Sequence, residues 1–210
     1  MKLARIYVFG DSQTYGAWDS QGGWCDRIKL EMHQLTLDES AGVKYQMFNL
    51  GIGGEHSRGL LGRFKTELDF RHRPDWPPVI VIATGSNDTR HSSGSDPIVP
   101  IDEYRTNIKA LIEIARTYTS RILIVGLATV RDADTAFKST IISQQHITEY
   151  NQVLAKVAEE ESIQLVDVHS AMQSNTEGDL FAKDGIHLND NGHQFVAGLV
   201  KPQLIKLLEE

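Results

Sequence analysis

Short apolar runs alternate along the chain with longer segments in which apolar residues recur every three or four positions. The runs at residues 6–9, 45–49, 79–83, 122–125 and 165–168 predict five strands. The third, Val79-Ile80-Val81-Ile82-Ala83, is apolar throughout and rich in β-branched residues, as suits a strand buried on both faces. Between the strands, Ile28, Leu30, Met32 and Leu35 predict an imperfect helix over 24–37, and Leu60, Leu61, Phe64 and Leu68 a second. Asp102 is expected to cap a third helix that carries Tyr104, Ile108, Leu111, Ile112 and Ala115 on one side. Ile147, Tyr150, Leu154 and Val157 mark a fourth. The last helix begins near Asn189-Asp190 and carries Phe195, Val196, Leu199 and Val200, with Pro202 expected to kink or restart it.

Strands that alternate with helices imply parallel pairing through right-handed crossovers. The expected fold is therefore α/β, a three-layer α/β/α sandwich with a five-stranded parallel, flavodoxin-like sheet. No repeat or linker divides the chain, so residues 1–210 are read as a single domain. Such sheets place their sites beyond the carboxyl ends of the strands. Two stretches, 89–101 and 128–142, read as long loops, each either functional or a variable surface excursion.

Composition narrows the function classes. The apolar fraction of 40% and the charged fraction of 23% are those of an ordinary globular chain. The formal net charge of -7 repels phosphate backbones, which argues against nucleic acid as a partner. Arg5 interrupts the first apolar run and Gly10 ends it, so that run is too short for a secretory signal. No run approaches the length of a membrane span, and a cytoplasmic protein is expected. The single cysteine, Cys25, cannot form an intramolecular disulfide and is read as a half-buried apolar residue rather than a thiol nucleophile.

The segments that follow the strands carry the chemistry. They are Gly10-Asp11-Ser12, then Asn49 to Glu55 with its glycines, then Gly85-Ser86-Asn87-Asp88, and finally Asp184-Gly185-Ile186-His187. Acyl transfer needs this set. A serine hydroxyl is a weak nucleophile until a base within hydrogen-bond reach takes its proton. Imidazole suits that task near neutral pH, and a carboxylate on its other nitrogen fixes its tautomer. The developing oxyanion needs fixed donors, available here from a glycine N–H, the Ser12 N–H and the Asn87 amide. Each piece alone is common, as a helix cap, a turn former or a loop glycine. Their order, each after its own strand, is what makes the combination specific.

In these blocks the chain resembles the SGNH hydrolases, also called GDSL-type esterases and lipases, from Phe9 to the last helix. The resemblance implies Ser12 as nucleophile, His187 as base and Asp184 as its orienter. It implies an oxyanion hole of the Ser12 N–H, the Gly54 N–H and the Asn87 side chain, with Gly53 as the alternative to Gly54. Gln13 stands where the family's name expects leucine, and Leu188 where proline often follows the histidine. Neither position carries a catalytic role. The implied activity is hydrolysis of small carboxylic esters, preferably acetyl or short acyl, through an acyl-enzyme and with no metal or organic cofactor. Acyl thioesters and lysophospholipids are alternatives within the mechanism.

Rival readings rest on less. A non-catalytic binding protein on this fold would not need all five site positions filled. A nucleotide-binding module would need a phosphate cradle, and Gly51 to Gly54 lacks the required spacing and lysine. Among the eight histidines no pair has a strong metal-ligand spacing. His72, His91, His146, His169 and His193 are read as solvated or capping, and His56 as lying either near the pocket or on a loop surface. Trp18 and Trp24 flank Gly22-Gly23 and are read as pocket walls or as core anchors. Asp88 is expected to hold its own loop locally, and Arg90 and Arg131 are candidates to meet an anionic substrate.

Overall fold

The computed structural model describes residues 1–131, 140–176 and 178–209. Strands β1 (Lys2–Gly10), β2 (Val43–Gly51), β3 (Pro78–Ala83), β4 (Ile122–Val125) and β5 (Gln164–Val166) form one sheet in the order β2-β1-β3-β4-β5. All four pairings are parallel. This is the flavodoxin-like doubly wound order, in which the chain winds outward from β1 in both directions.

Side-chain alternation explains the two layers of helix. In β1, Ala4, Ile6 and Val8 point to one core, and Tyr7 and Phe9 to the other. Val79 and Val81 of β3 join the first core, and Ile80 and Ile82 the second. Because both faces are apolar, both must be covered. The helices α2 (Gly23–Leu37), α6 (Val168–Gln173) and α7 (Asp190–Glu209) cover the first face. The second is covered by α3 (Ser57–Arg71), α4 (Ile101–Arg116) and α5 (Gln144–Glu160). A single-turn helix, α1 (Ser12–Tyr15), follows β1 directly.

The structure departs from the sequence reading at several element ends. β5 stops at Val166, and Val168 opens α6 because the Asp167 side chain accepts from Ser170 N at 2.9 Å and caps a helix there. α4 starts one residue before Asp102, with Pro100 at the capping position. Asp102 and Glu103 instead occupy its first turn, where the helix dipole favours carboxylates. α7 does begin after Asn189, whose side chain accepts from Gly192 N at 2.9 Å. It runs unbroken through Pro202, and the buried Leu204, Leu207 and Leu208 beyond the proline hold the last turns on the core. In α2 the buried residues are Trp24, Cys25, Ile28 and Met32, whereas Leu30 (57% exposed) and Leu35 (39%) face outward. Cys25 is fully buried rather than half-buried, and burial pushes its thiol well above the ordinary range. Among the described residues no helix is long and apolar enough to cross a membrane.

Candidate active site

Every segment nominated from sequence emerges at the carboxyl end of the sheet. Gly10 ends β1, and a β-carbon there would lie 2.5 Å from Ala83 O and still closer to Thr14 Oγ1, so only glycine lets the chain turn so tightly. Asp11 then caps α1, its carboxylate accepting from Gln13 N at 3.0 Å, and this lifts Ser12 to the rim. The glycine turn after β2 is tied down by Ile52 N donating to Gly10 O at 3.0 Å and by Arg63, which donates to Leu50 O (2.7 Å) and Glu55 Oε1 (2.7 Å). Gly54 sits at φ +76°, in the left-handed region. After β3, Asn87 is buried, and its side-chain amide donates to Glu55 O at 3.1 Å, with Asp11 Oδ2 at 3.4 Å.

The fourth segment is a short hairpin. Phe181 and Leu188 pair as an antiparallel bridge, and Ala182 N donates to His187 O at 2.8 Å. Within this turn Asp184 Oδ1 accepts from the backbone N–H of Ile186 (3.0 Å) and of His187 (2.9 Å). Its other oxygen lies 2.6 Å from His187 Nδ1, and His187 Nε2 lies 2.9 Å from Ser12 Oγ. The contact with Asp184 places the proton on Nδ1 and leaves Nε2 free to accept from the hydroxyl. Burial by itself raises the Asp184 carboxyl, but hydrogen bonds from the His187 ring and from the two N–H groups outweigh it and hold the group below its usual value.

Two further side chains, Gln13, read from sequence as carrying no catalytic role, and Trp18, read as a pocket wall or a core anchor, complete this arrangement. Gln13 Nε2 donates to Ile186 O at 2.8 Å, which joins the Ser12 turn to the hairpin. Trp18 Nε1 lies 3.1 Å from Asp184 Oδ2 and 2.9 Å from His187 Nδ1. A ring nitrogen that donates to Asp184 cannot also accept, so the indole N–H serves the carboxylate. Trp18 is 69% exposed and holds φ at +68°, which is uncommon for a bulky residue and marks an over-determined local geometry. The two tryptophans thus divide, since Trp24 is buried as a core anchor while Trp18 walls the cleft.

Behind the rim lies a buried polar layer. Asp88 reaches well beyond its own loop, accepting from Ser57 N at 2.9 Å and from Ser57 Oγ, while Asn107 Nδ2 donates to Ser57 Oγ at 2.9 Å. The Asn87 loop is thereby fastened to the first turn of α3. Burial, partly offset by the Ser57 hydrogen bonds, pushes the Asp88 carboxyl up to about 6. Asp11 is buried completely, and desolvation, helped by the nearby Asp88 and Glu55 carboxylates, pushes it up to about 7. A carboxyl raised above its ordinary 3.8 in the fold lends stability that is complete below that value and lost as pH rises through about 7. Asp11→Asn is therefore expected to flatten the fall in melting temperature between pH 5 and pH 8 relative to the wild type. Parallel curves for the two proteins would refute this.

The remaining candidates are structural or lie at the edge of the site. His56 caps α3 by accepting from Gly59 N at 3.1 Å. His193 is not solvated: it is fully buried, accepts from Trp24 N at 3.2 Å, and burial lowers its pKa. His169 is also buried, while His91 and His146 stack edge to face. Among the described residues no group of three or more His, Cys, Asp or Glu could hold a metal ion. Arg131 pairs with Asp179, whereas Arg90 lines the cleft. The two long loops meet where His91 and Ile141 exchange backbone hydrogen bonds of 3.0 and 2.8 Å. Residues 132–139 of the second loop lie outside the described residues. Together these parts enclose a cleft of about 460 Å³ lined by Ser12, His187, Asn87, Trp18, Ile142 and Ile186, among others.

A hydroxyl, imidazole and carboxylate in series, set at the strand ends of a parallel α/β sandwich, define the class of hydrolases that cleave acyl bonds through serine. The chain belongs to the GDSL-like lipase/acylhydrolase family, whose model matches residues 8–195. It is an ester hydrolase of that family. It is 29% identical to the isoamyl acetate-hydrolyzing esterase of Saccharomyces cerevisiae, over all of this chain and 87% of the yeast protein. Its fold is similar to that of the lipase/acylhydrolase from Enterococcus faecalis, with a TM-score of 0.76, 20% identity, and coverage of 96% of this chain and 95% of that one. It is similar also to an acetylxylan esterase from Geobacillus stearothermophilus, with a TM-score of 0.72, 18% identity, and coverage of 97% and 96%.

Proposed function

We propose that the protein hydrolyses acetyl and other short acyl esters of small alcohols through an acyl-enzyme on Ser12. The observation that carries this reading is the series Ser12 Oγ, His187 and Asp184, with spacings of 2.9 and 2.6 Å. In the proposed cycle His187 Nε2 takes the Ser12 proton as Oγ attacks the ester carbonyl, then delivers it to the departing alcohol. Water enters by the same route and releases the acid. Asp184 holds the ring and stabilises the imidazolium. The N–H groups of Ser12 and Gly54 and the Asn87 amide receive the oxyanion. To do so, the Asn87 amide gives up its long contact with Asp11 rather than its shorter one with Glu55 O.

The preference for short acyl groups draws on the two relatives named for acetate esters and on the modest size of the cleft. We place the activity in the cytoplasm, in keeping with a buried cysteine that forms no disulfide. The test is hydrolysis of 4-nitrophenyl esters from acetate to palmitate. Turnover is expected to peak between acetate and butyrate and to vanish after treatment with a fluorophosphonate, with the label found on Ser12. A peak at palmitate would remove the short-acyl preference, and a label elsewhere would remove the mechanism.

A further inference from the structure

We propose that Arg90 is an anion-recognition residue of the cleft, and that the preferred esters carry a carboxylate. This rests on the esterase reading of the same site and adds to it the charge of the substrate.

The chain carries a net charge of -7, and its arginines are almost all engaged. Arg5 and Arg73 donate to backbone carbonyls. Arg27, Arg58, Arg63, Arg71, Arg105, Arg116 and Arg131 hydrogen-bond to carboxylates, and Arg121 also has an interaction partner. Of the arginines, Arg90 alone has a guanidinium that makes no hydrogen bond or ion pair among the described residues, and it stands in the wall of the cleft. Its Nη1 is 3.9 Å from where a β-carbon on Gly54 would lie, beside the glycine turn that flanks Ser12.

The backbone around it is fixed. Arg90 N donates to Asn87 O at 3.3 Å, Ile98 N donates to Arg90 O at 2.7 Å, and the next residue, His91, is bridged to Ile141. The anchor of the side chain is thus set at the rim of the cleft, and the planar guanidinium fork matches two oxygens at once. Among the described residues lining the cleft it is the only arginine or lysine. One positive charge balances the single charge of a carboxylate better than the double charge of a phosphate monoester.

The test compares esters matched in size that differ in charge. 4-Acetoxybenzoate, set against its methyl ester, carries the carboxylate on the alcohol half. Mono-4-nitrophenyl glutarate, set against 4-nitrophenyl valerate, carries it on the acyl half. For at least one pair the ratio of kcat/KM, charged over neutral, is expected to fall about ten-fold in Arg90→Gln, to recover only in part in Arg90→Lys, which restores the charge without the fork, and in the wild type to fall with added salt. The responding pair identifies the half that bears the charge. An equal loss for charged and neutral esters, or no change in either ratio, would overturn the proposal while leaving the Ser12 mechanism standing. Should no ester be turned over, calorimetry with the amide 4-acetamidobenzoate decides. Binding to the wild type that is lost in Arg90→Gln supports the site, and binding that is absent or indifferent to Arg90 removes it.

Discussion

Ser12→Ala is expected to lower kcat for 4-nitrophenyl acetate by about 10⁴- to 10⁶-fold, with the melting temperature little changed. The size follows from position. Ser12 Oγ is the hydroxyl within hydrogen-bond reach of His187 Nε2, and it stands at the mouth of the cleft on a half-buried first turn. Removing one oxygen there leaves the helix cap untouched, because Asp11 caps α1 with its own side chain. The proposed oxyanion donors, all of which the variant keeps, and the cleft would then supply only a residual acceleration. A variant that kept a tenth of wild-type activity in clean protein would mean that another group attacks the ester.

Asp184→Asn is expected to cost nearly as much, about 10³- to 10⁴-fold in kcat. Four donors converge on this carboxylate: the N–H groups of Ile186 and His187 on Oδ1, and the His187 ring and the Trp18 indole on Oδ2. A carboxylate accepts from all four. A carboxamide has one oxygen, which the two backbone N–H groups hold, so its NH₂ would face His187 and Trp18. The ring would then accept at Nδ1 and carry its proton on Nε2, turned toward Ser12, the wrong tautomer for a base. The measurement is the pH profile of kcat/KM for the acetate ester, in which the variant should lose the plateau and regain rate only as hydroxide rises. A loss of less than ten-fold across the profile would show that the hairpin backbone, not the carboxylate, orients the imidazole.

How much of this was legible in the sequence depends on what kind of signal each residue leaves. The strands were readable because burial on both faces writes a continuous apolar run, as in Val79 to Ile82. Helix faces were less so. Leu30 and Leu35 count as apolar in any pattern, yet α2 turns them outward and buries Cys25 and Ile28, because its contact with the sheet and α7 selects a different stripe. Element ends depended on caps whose partners are only visible in space, as with Asp167 at α6 and Pro100 at α4. For the site, the nominated residues Ser12, Gly54, Asn87, Asp184 and His187 all line one cleft, since their segments follow parallel strands. Gln13 and Trp18 were not singled out for what they hold. Gln13 differs from the family name only by residue type, and Trp18 depends on a positive φ that no composition announces. Arg90 was legible as a loop arginine, but its want of a partner emerges only when all the others are accounted for.

The seat of Trp18 gives the protein an optical probe of its own chemistry. Its ring stands edge-on to His187 with centroids 5.8 Å apart, while Trp24 is buried in the core and Trp76 lies by Arg5 and Lys44 at the far end of the sheet. An imidazolium in contact with an indole drains its excited state far more efficiently than a neutral imidazole does. The emission of this one tryptophan is therefore expected to report on the state of the neighbouring imidazole, so that events at the Ser12 end of the cleft can be followed by fluorescence without adding a dye.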